Sequence, residues 1–150
     1  MSDAAPQPKG MFRKDLAVLT KVRLNTFVLV TTFFGYFLGS RAHGWEWSIL
    51  LHTLIGTAAA AFGSAAFNQL MEIDLDSRMA RTARRPMARG EVSTAQALVF
   101  ALLLAAVGSA LLLAWVNALT MWLTIATFFG YSFIYTVLLK PTTPQNIVIG

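Results

Sequence analysis

The sequence predicts an all-α fold: a polytopic transmembrane helical bundle with four complete spans and the start of a fifth. Three observations predict it. Hydrophobic residues make up 56% of the 150 residues and charged residues only 13%, too few charges to clothe a water-soluble domain. Four apolar runs are long enough to cross a bilayer. The basic residues fall almost entirely at one end of those runs, as the positive-inside rule requires. Cysteine is absent, which excludes disulfides, thiolate metal sites and cysteine nucleophiles.

Residues 1–23 form a polar leading segment. Its start, "MSDAAPQPKGMFRKD", lacks the apolar core and cleavage site of a secretory signal and reads as a short disordered lead-in. "MFRKDLAVLTKVR" reads as an amphipathic helix on the membrane surface. Residues 24–150 form the membrane domain. Its spans are expected at about 24–40, 48–70, 95–116 and 118–139. They are read as helices because an apolar segment in lipid must satisfy its own backbone, and barrel strands would alternate apolar and polar. Eleven of the twelve Lys and Arg residues then lie on one face, with Arg41 alone on the other. This places the N-terminus in the cytoplasm, and the expected location is a bacterial inner membrane. Trp45, Trp47 and Trp115 mark the outer boundary. The net charge of +5 is thereby explained by topology, without nucleic acid. "NIVIG" opens a further apolar segment, so the chain is expected to be the front part of a longer protein, inactive alone.

The chemistry concentrates in "NQLMEIDLDSRMARTARRP", Asn68 to Pro86. If the second span continues through it, Asn68, Glu72 and Asp76 are four apart. Each step of four overshoots a full turn by only about 40°, so the three side chains form one stripe roughly 12 Å long. A stripe of oxygens suits Mg²⁺ with phosphate oxygens in the rest of its shell. Asp74 points away on a straight helix. Arginine forks match phosphate geometry, and Arg78, Arg81, Arg84, Arg85 and Arg89 follow. The bland alternative is a solvated loop whose arginines obey the positive-inside rule. Pro86 and Gly90 then break the chain before Ser93 or Thr94 caps the third span.

With these residues the chain resembles the UbiA-type intramembrane prenyltransferases. Members carry Asn-x-x-x-Asp-x-x-x-Asp at the cytoplasmic end of the second helix, then Arg-Thr-x-x-Arg-Pro. Here the pattern reads Asn68, Glu72, Asp76, then Arg81, Thr82, Arg85, Pro86. Gln69, the middle acid Glu72 and Met79 resemble the heme-farnesylating branch, as does "YTVLLKPTTPQNIVIG". The resemblance covers nearly all of this chain but about the first half of a typical member, so a second acid-rich motif is missing. Tyr135 and Lys140 stand five apart, where many members show four, and Pro141 replaces a second basic residue.

The resemblance implies transfer of a farnesyl group from farnesyl diphosphate to a vinyl group of heme B, giving heme O. It implies Mg²⁺ and diphosphate on Asn68, Glu72 and Asp76, the catalytic group. It also implies cationic contacts from Arg81, Arg85 and Lys140, with Tyr135 nearby. Other heme-biosynthesis or oxidase-assembly membrane proteins are implied partners beside the lipid bilayer. The alternatives are a prenyltransferase with a quinone precursor or other aromatic acceptor, and a non-enzymatic membrane subunit or transporter. A transporter would place ionisable groups near the midplane, and no span interior here carries a charge.

Phe33, Phe34, Phe62, Phe67, Phe128 and Phe129 are candidates to face an allylic cation, or are simply packed and lipid-facing rings. His43 and His52 are either heme contacts or polar boundary residues. Asn25 and Thr26 line the site or cap the first span. Asn146 is a second-rank candidate near the same face. The small residues of "GTAAAAFGSAAF" are expected to serve close helix packing.

Overall fold

The computed structural model describes residues 13–78 and 85–139, with side chains for all of these except 13–15, 75 and 135–139. The described residues are helical throughout apart from turns. In order they form α1 (Arg13–Leu19), α2 (Val22–His43), α3 (Trp47–Met71), α4 (Ile73–Arg78), α5 (Thr94–Trp115) and α6 (Ala118–Phe129). A π-helical continuation follows over Gly130–Leu139. α2, α3 and α5 are each long and apolar enough to cross a membrane. They match the first three expected spans to within three residues at either end.

The fourth span is less regular than expected. The α-helix stops at Phe129 and the chain continues to Leu139 with wider turns. π-Helical turns are rare and are commonly found next to functional sites. The expected fifth segment lies outside the described residues. The leading amphipathic helix also ends sooner than the expected run to Arg23, at Leu19. Thr20 Oγ1 donates to the Leu16 carbonyl at 2.8 Å, and Lys21 takes a left-handed backbone with φ 47. Together they end α1 and turn the chain into α2.

The helices alternate in direction between a basic end, near Lys21 and Arg85, and a tryptophan end, near Trp47 and Trp115. α3 is the central helix and packs most extensively on α5. The reason is the small-residue run. A Cβ on Gly63 would lie 2.7 Å from the Ala101 carbonyl oxygen, and one on Gly108 would lie 2.6 Å from that of Gly56. The two backbones touch at levels where any side chain would part them, the packing that small residues permit in lipid. Outward faces are apolar: Phe27, Leu38, Leu103, Leu119 and Trp122 are all more than half exposed. Such surfaces suit lipid rather than water.

Caps fix the helix ends. Ser93 Oγ accepts from the Gln96 amide, and Gln96 Oε1 accepts from the Ser93 amide, both at 3.2 Å. This is a full capping box, and it settles the choice between Ser93 and Thr94. Asn117 Oδ1 accepts from the Thr120 amide at 2.7 Å and starts α6.

Candidate functional site

α3 does not run straight through the acid segment. It ends at Met71, Glu72 takes φ −100 and ψ 4, and α4 resumes at Ile73. The hydrogen-bond ladder nevertheless crosses the bend. The Glu72 amide donates to the Asn68 carbonyl at 3.1 Å, and the Asp76 amide to the Glu72 carbonyl at 2.7 Å. The helical register therefore survives, and so does the stripe. Asn68, Glu72 and Asp76 are 2%, 3% and 5% exposed, whereas Asp74 is exposed. The same spacing that gathered three side chains put the fourth in solvent.

Arg85 closes the stripe. Its Nη1 lies 2.5 Å from Asp76 Oδ2 and 3.5 Å from Glu72 Oε2. One guanidinium thus bridges two carboxylates from consecutive turns. Its position is set by packing further along the chain. Pro86 is buried, and Met87 and Val92 insert into a cluster with Leu19, Ala66, Ala97 and Ala101. Gly90, at φ 70, makes the tight return that lets both reach it. α1 joins the same cluster through Leu19. Gln69 Nε2 ties it there by donating to the Val18 and Leu19 carbonyls at 2.8 and 2.9 Å. Buried donors satisfied in this way fix one arrangement.

Two hollows adjoin this cluster. One, of about 430 Å³, is lined by Lys21, Arg23 and Arg85 with apolar parts of α1 and α2. The other, of about 480 Å³, lies between α2, α3 and α6. At its basic end it is lined by Lys21, Asn25, Ser64, Ala65, Phe128 and Tyr131. Lys21 lines both. The acids line neither hollow; Asn68 stands one helical turn beyond Ser64. The acid stripe, Arg85, Lys21 and the larger cavity therefore follow one another across the basic end.

Lys21 was not anticipated. A lysine among several near a span reads as topology. Its left-handed backbone, sparsely populated for residues other than glycine, is a property of the folded chain. Asn25 is buried, donates to the Thr20 and Ala61 carbonyls at 2.7 and 3.3 Å, and lines the larger cavity. Thr26 instead bonds back to Val22 on an exposed face. Arg81, Lys140 and Asn146 lie outside the described residues, and of Tyr135 only the backbone is described.

The aromatic candidates divide. Phe128 lines the larger cavity and pairs with Phe67, their centroids 5.8 Å apart. Phe33 belongs to a cluster around Trp45 at the tryptophan end, Phe34 and Phe129 are more than half exposed, and Phe62 is half-buried. His52 stacks on Trp115 at 4.8 Å and donates from Nδ1 to the Ser48 carbonyl at 2.6 Å. His43 lines a separate hollow at the same end. Both stand far from the acids, a boundary placement.

Two carboxylates and an amide are hard oxygen donors. Mg²⁺ is usually held by one or two carboxylates and completes its octahedron with water and phosphate oxygens. Among the described residues no group of three or more His, Cys, Asp or Glu side chains gathers. The donor set fits an ion delivered with its phosphate better than an all-protein cage.

A family model, the UbiA prenyltransferase family, matches residues 28–150. "Protoheme IX farnesyltransferase" of Methylibium petroleiphilum is 51% identical over 141 residues, covering 91% of this chain and 45% of that protein. The protein of the same name from an Acidovorax species is 47% identical over 149 residues, covering 98% and 49%. "Protoheme IX farnesyltransferase 1" of Pseudomonas putida is 49% identical over 137 residues, covering 91% and 46%. The chain spans about half the length of these curated relatives. No solved structure matches it.

Proposed function

Because this chain belongs to the UbiA prenyltransferase family, we propose that its acid stripe and Arg85 hold the diphosphate of farnesyl diphosphate for transfer of the farnesyl group to heme B. The named relatives support the donor and the acceptor. The observation that carries the reading is the convergence of Glu72 and Asp76 on one guanidinium nitrogen beside a hollow lined by Lys21 and Arg23.

Asn68, Glu72 and Asp76 would hold Mg²⁺, which would supply charge neutralisation on the leaving diphosphate. Arg85 bridges the acids and is within reach of phosphate oxygens in the adjoining hollow. Donors fixed before the reaction stabilise charge without reorganising as it develops. Breaking the allylic C–O bond leaves the electron pair on the diphosphate and positive charge on the farnesyl carbon. Phe128 walls the cavity that receives that carbon, and an aromatic face attracts a cation. The terminal vinyl carbon of heme B then attacks that carbon, and water adds to the cation this leaves on the inner vinyl carbon and loses a proton, giving the hydroxylated side chain of heme O. The surrounding apolar walls keep water from the farnesyl cation before the acceptor reaches it.

Arg81, Lys140 and Tyr135 complete the cationic side of the site in this proposal, by family resemblance. The basic end faces the cytoplasm across a bacterial inner membrane, consistent with the distribution of Lys and Arg. The full reading frame encoding these residues, expressed in membranes with heme B, farnesyl diphosphate and Mg²⁺, tests the proposal. Mass spectrometry should detect farnesylated heme. Its absence from wild-type membranes, or its persistence in Glu72→Ala and Asp76→Ala, would count against the assignment.

A further inference from the structure

We propose that a collar of three threonines, Thr32, Thr53 and Thr120, sets the length of isoprenoid tail that the larger cavity accepts. The inference rests on the donor assignment above. The three residues come from three helices, α2, α3 and α6. Each lines the cavity that opens at the basic end, and each also lines a second hollow of about 440 Å³ at the tryptophan end. The collar is where the two hollows meet.

The lining changes character across it. On the basic side lie Leu24, Val28, Ala60, Ala61, Leu123 and Phe128. On the far side lie Ser40, His43, Glu46 and Asn117. An apolar tail gains with each methylene removed from water into the first cavity. It loses part of that gain when its next unit must enter a hollow with a larger polar share and displace water from groups it cannot bond. From Ser64, at the basic end of the cavity, to Thr53 is eleven residues of α3, a rise of about 16 Å. That is comparable to the reach of three extended isoprene units.

A length stop must also be stiff, and this one is. Threonine is branched at Cβ and limited in χ1. Thr53 Oγ1 donates to the Ile49 carbonyl at 2.7 Å, and Thr32 Oγ1 to the Val28 carbonyl at 2.8 Å. Thr120 sits in the capped first turn of α6, its amide held by Asn117. The Thr32 and Thr53 side chains are therefore held by their own helices, and Thr120 by the fixed backbone of a capped turn, independently of any ligand.

The test is competition binding on the full-length protein in nanodiscs with Mg²⁺. Diphosphates bearing two, three and four isoprene units displace a fluorescent prenyl diphosphate. Thr32→Ala and Thr120→Ala widen the collar and should raise affinity for the four-unit donor relative to the three-unit donor by about tenfold, since even one methylene discriminates at that level. Thr120→Leu should shift preference by a similar factor toward the two-unit donor. Unchanged binding of inorganic diphosphate in every variant shows that the acid site is intact. Unaltered length ratios in the folded alanine variants overturn the collar while leaving the donor assignment standing. Failure of the wild-type protein to bind any prenyl diphosphate overturns both.

Discussion

Arg85 Nη1 stands 2.5 Å from Asp76 Oδ2, although the two are nine positions apart in the chain. The pair is mostly buried, with the guanidinium the more open partner. A buried carboxylate deprived of its cation is costly, whereas the intact pair contributes little net stability. Under the proposed function Arg85 therefore has two separable effects, on stability and on phosphate binding.

Arg85→Lys keeps a charge but loses the fork that reaches two carboxylates. Heme farnesylation should fall about a hundredfold, the usual order for one lost electrostatic donor. Arg85→Ala should lose at least as much and also melt earlier, by an amount of about 3 kcal/mol or more, because Asp76 stays buried. Transfer rates in membranes and thermal melting in detergent separate the two effects.

Gln69 anchors α1 by two hydrogen bonds to the Val18 and Leu19 carbonyls. Gln69→Leu has nearly the same volume but leaves both carbonyls without those donors, a cost of about 1–3 kcal/mol for each buried group left unsatisfied. Hydrogen exchange should rise over Arg13–Leu19 while the α3–α5 pair remains protected. Uniform loss of protection across all helices would contradict a local clamp.

The α3–α5 contact depends on absent side chains. Gly63→Ala and Gly108→Ala should each destabilise by about 1–3 kcal/mol, since the added carbon meets backbone that cannot repack as a side chain would. Gly35→Ala, where a Cβ meets nothing within 4 Å, should hold or raise the melting temperature, by a helix-propensity gain of up to about 1 kcal/mol. It is the matched control for helix propensity.

Ser132 is fully buried in the π-helical segment, and its Oγ has no hydrogen-bond partner among the described residues. Ser132→Ala removes an unsatisfied polar atom, so the melting temperature should stay constant or rise, against the usual cost of about 1 kcal/mol for a core substitution. A clear drop would reveal a partner for the hydroxyl.

Chelation tests the metal assignment. Excess EDTA should abolish farnesyl transfer, and added Mg²⁺ should restore it. Asp76→Asn should require more Mg²⁺ for half-maximal rate, because one of two carboxylates has lost its charge. Transfer that is insensitive to EDTA would remove the ion from the site.

Apolar length and the position of basic residues determined the membrane helices and their alternating direction, because lipid allows a lone segment few other ways to satisfy its backbone. Helical periodicity likewise determined that Asn68, Glu72 and Asp76 share a face and that Asp74 does not. Both properties are local, so a linear pattern encodes them. The pairing of Arg85 with the acids, the left-handed turn at Lys21 and the clamp made by Gln69 were decided only in three dimensions. Each depends on where a reversed loop or a neighbouring helix comes to rest. The cluster of Leu19, Ala66, Met87, Val92, Ala97 and Ala101 draws those contacts from four separate stretches of chain, and no periodicity within one stretch records the presence of the others.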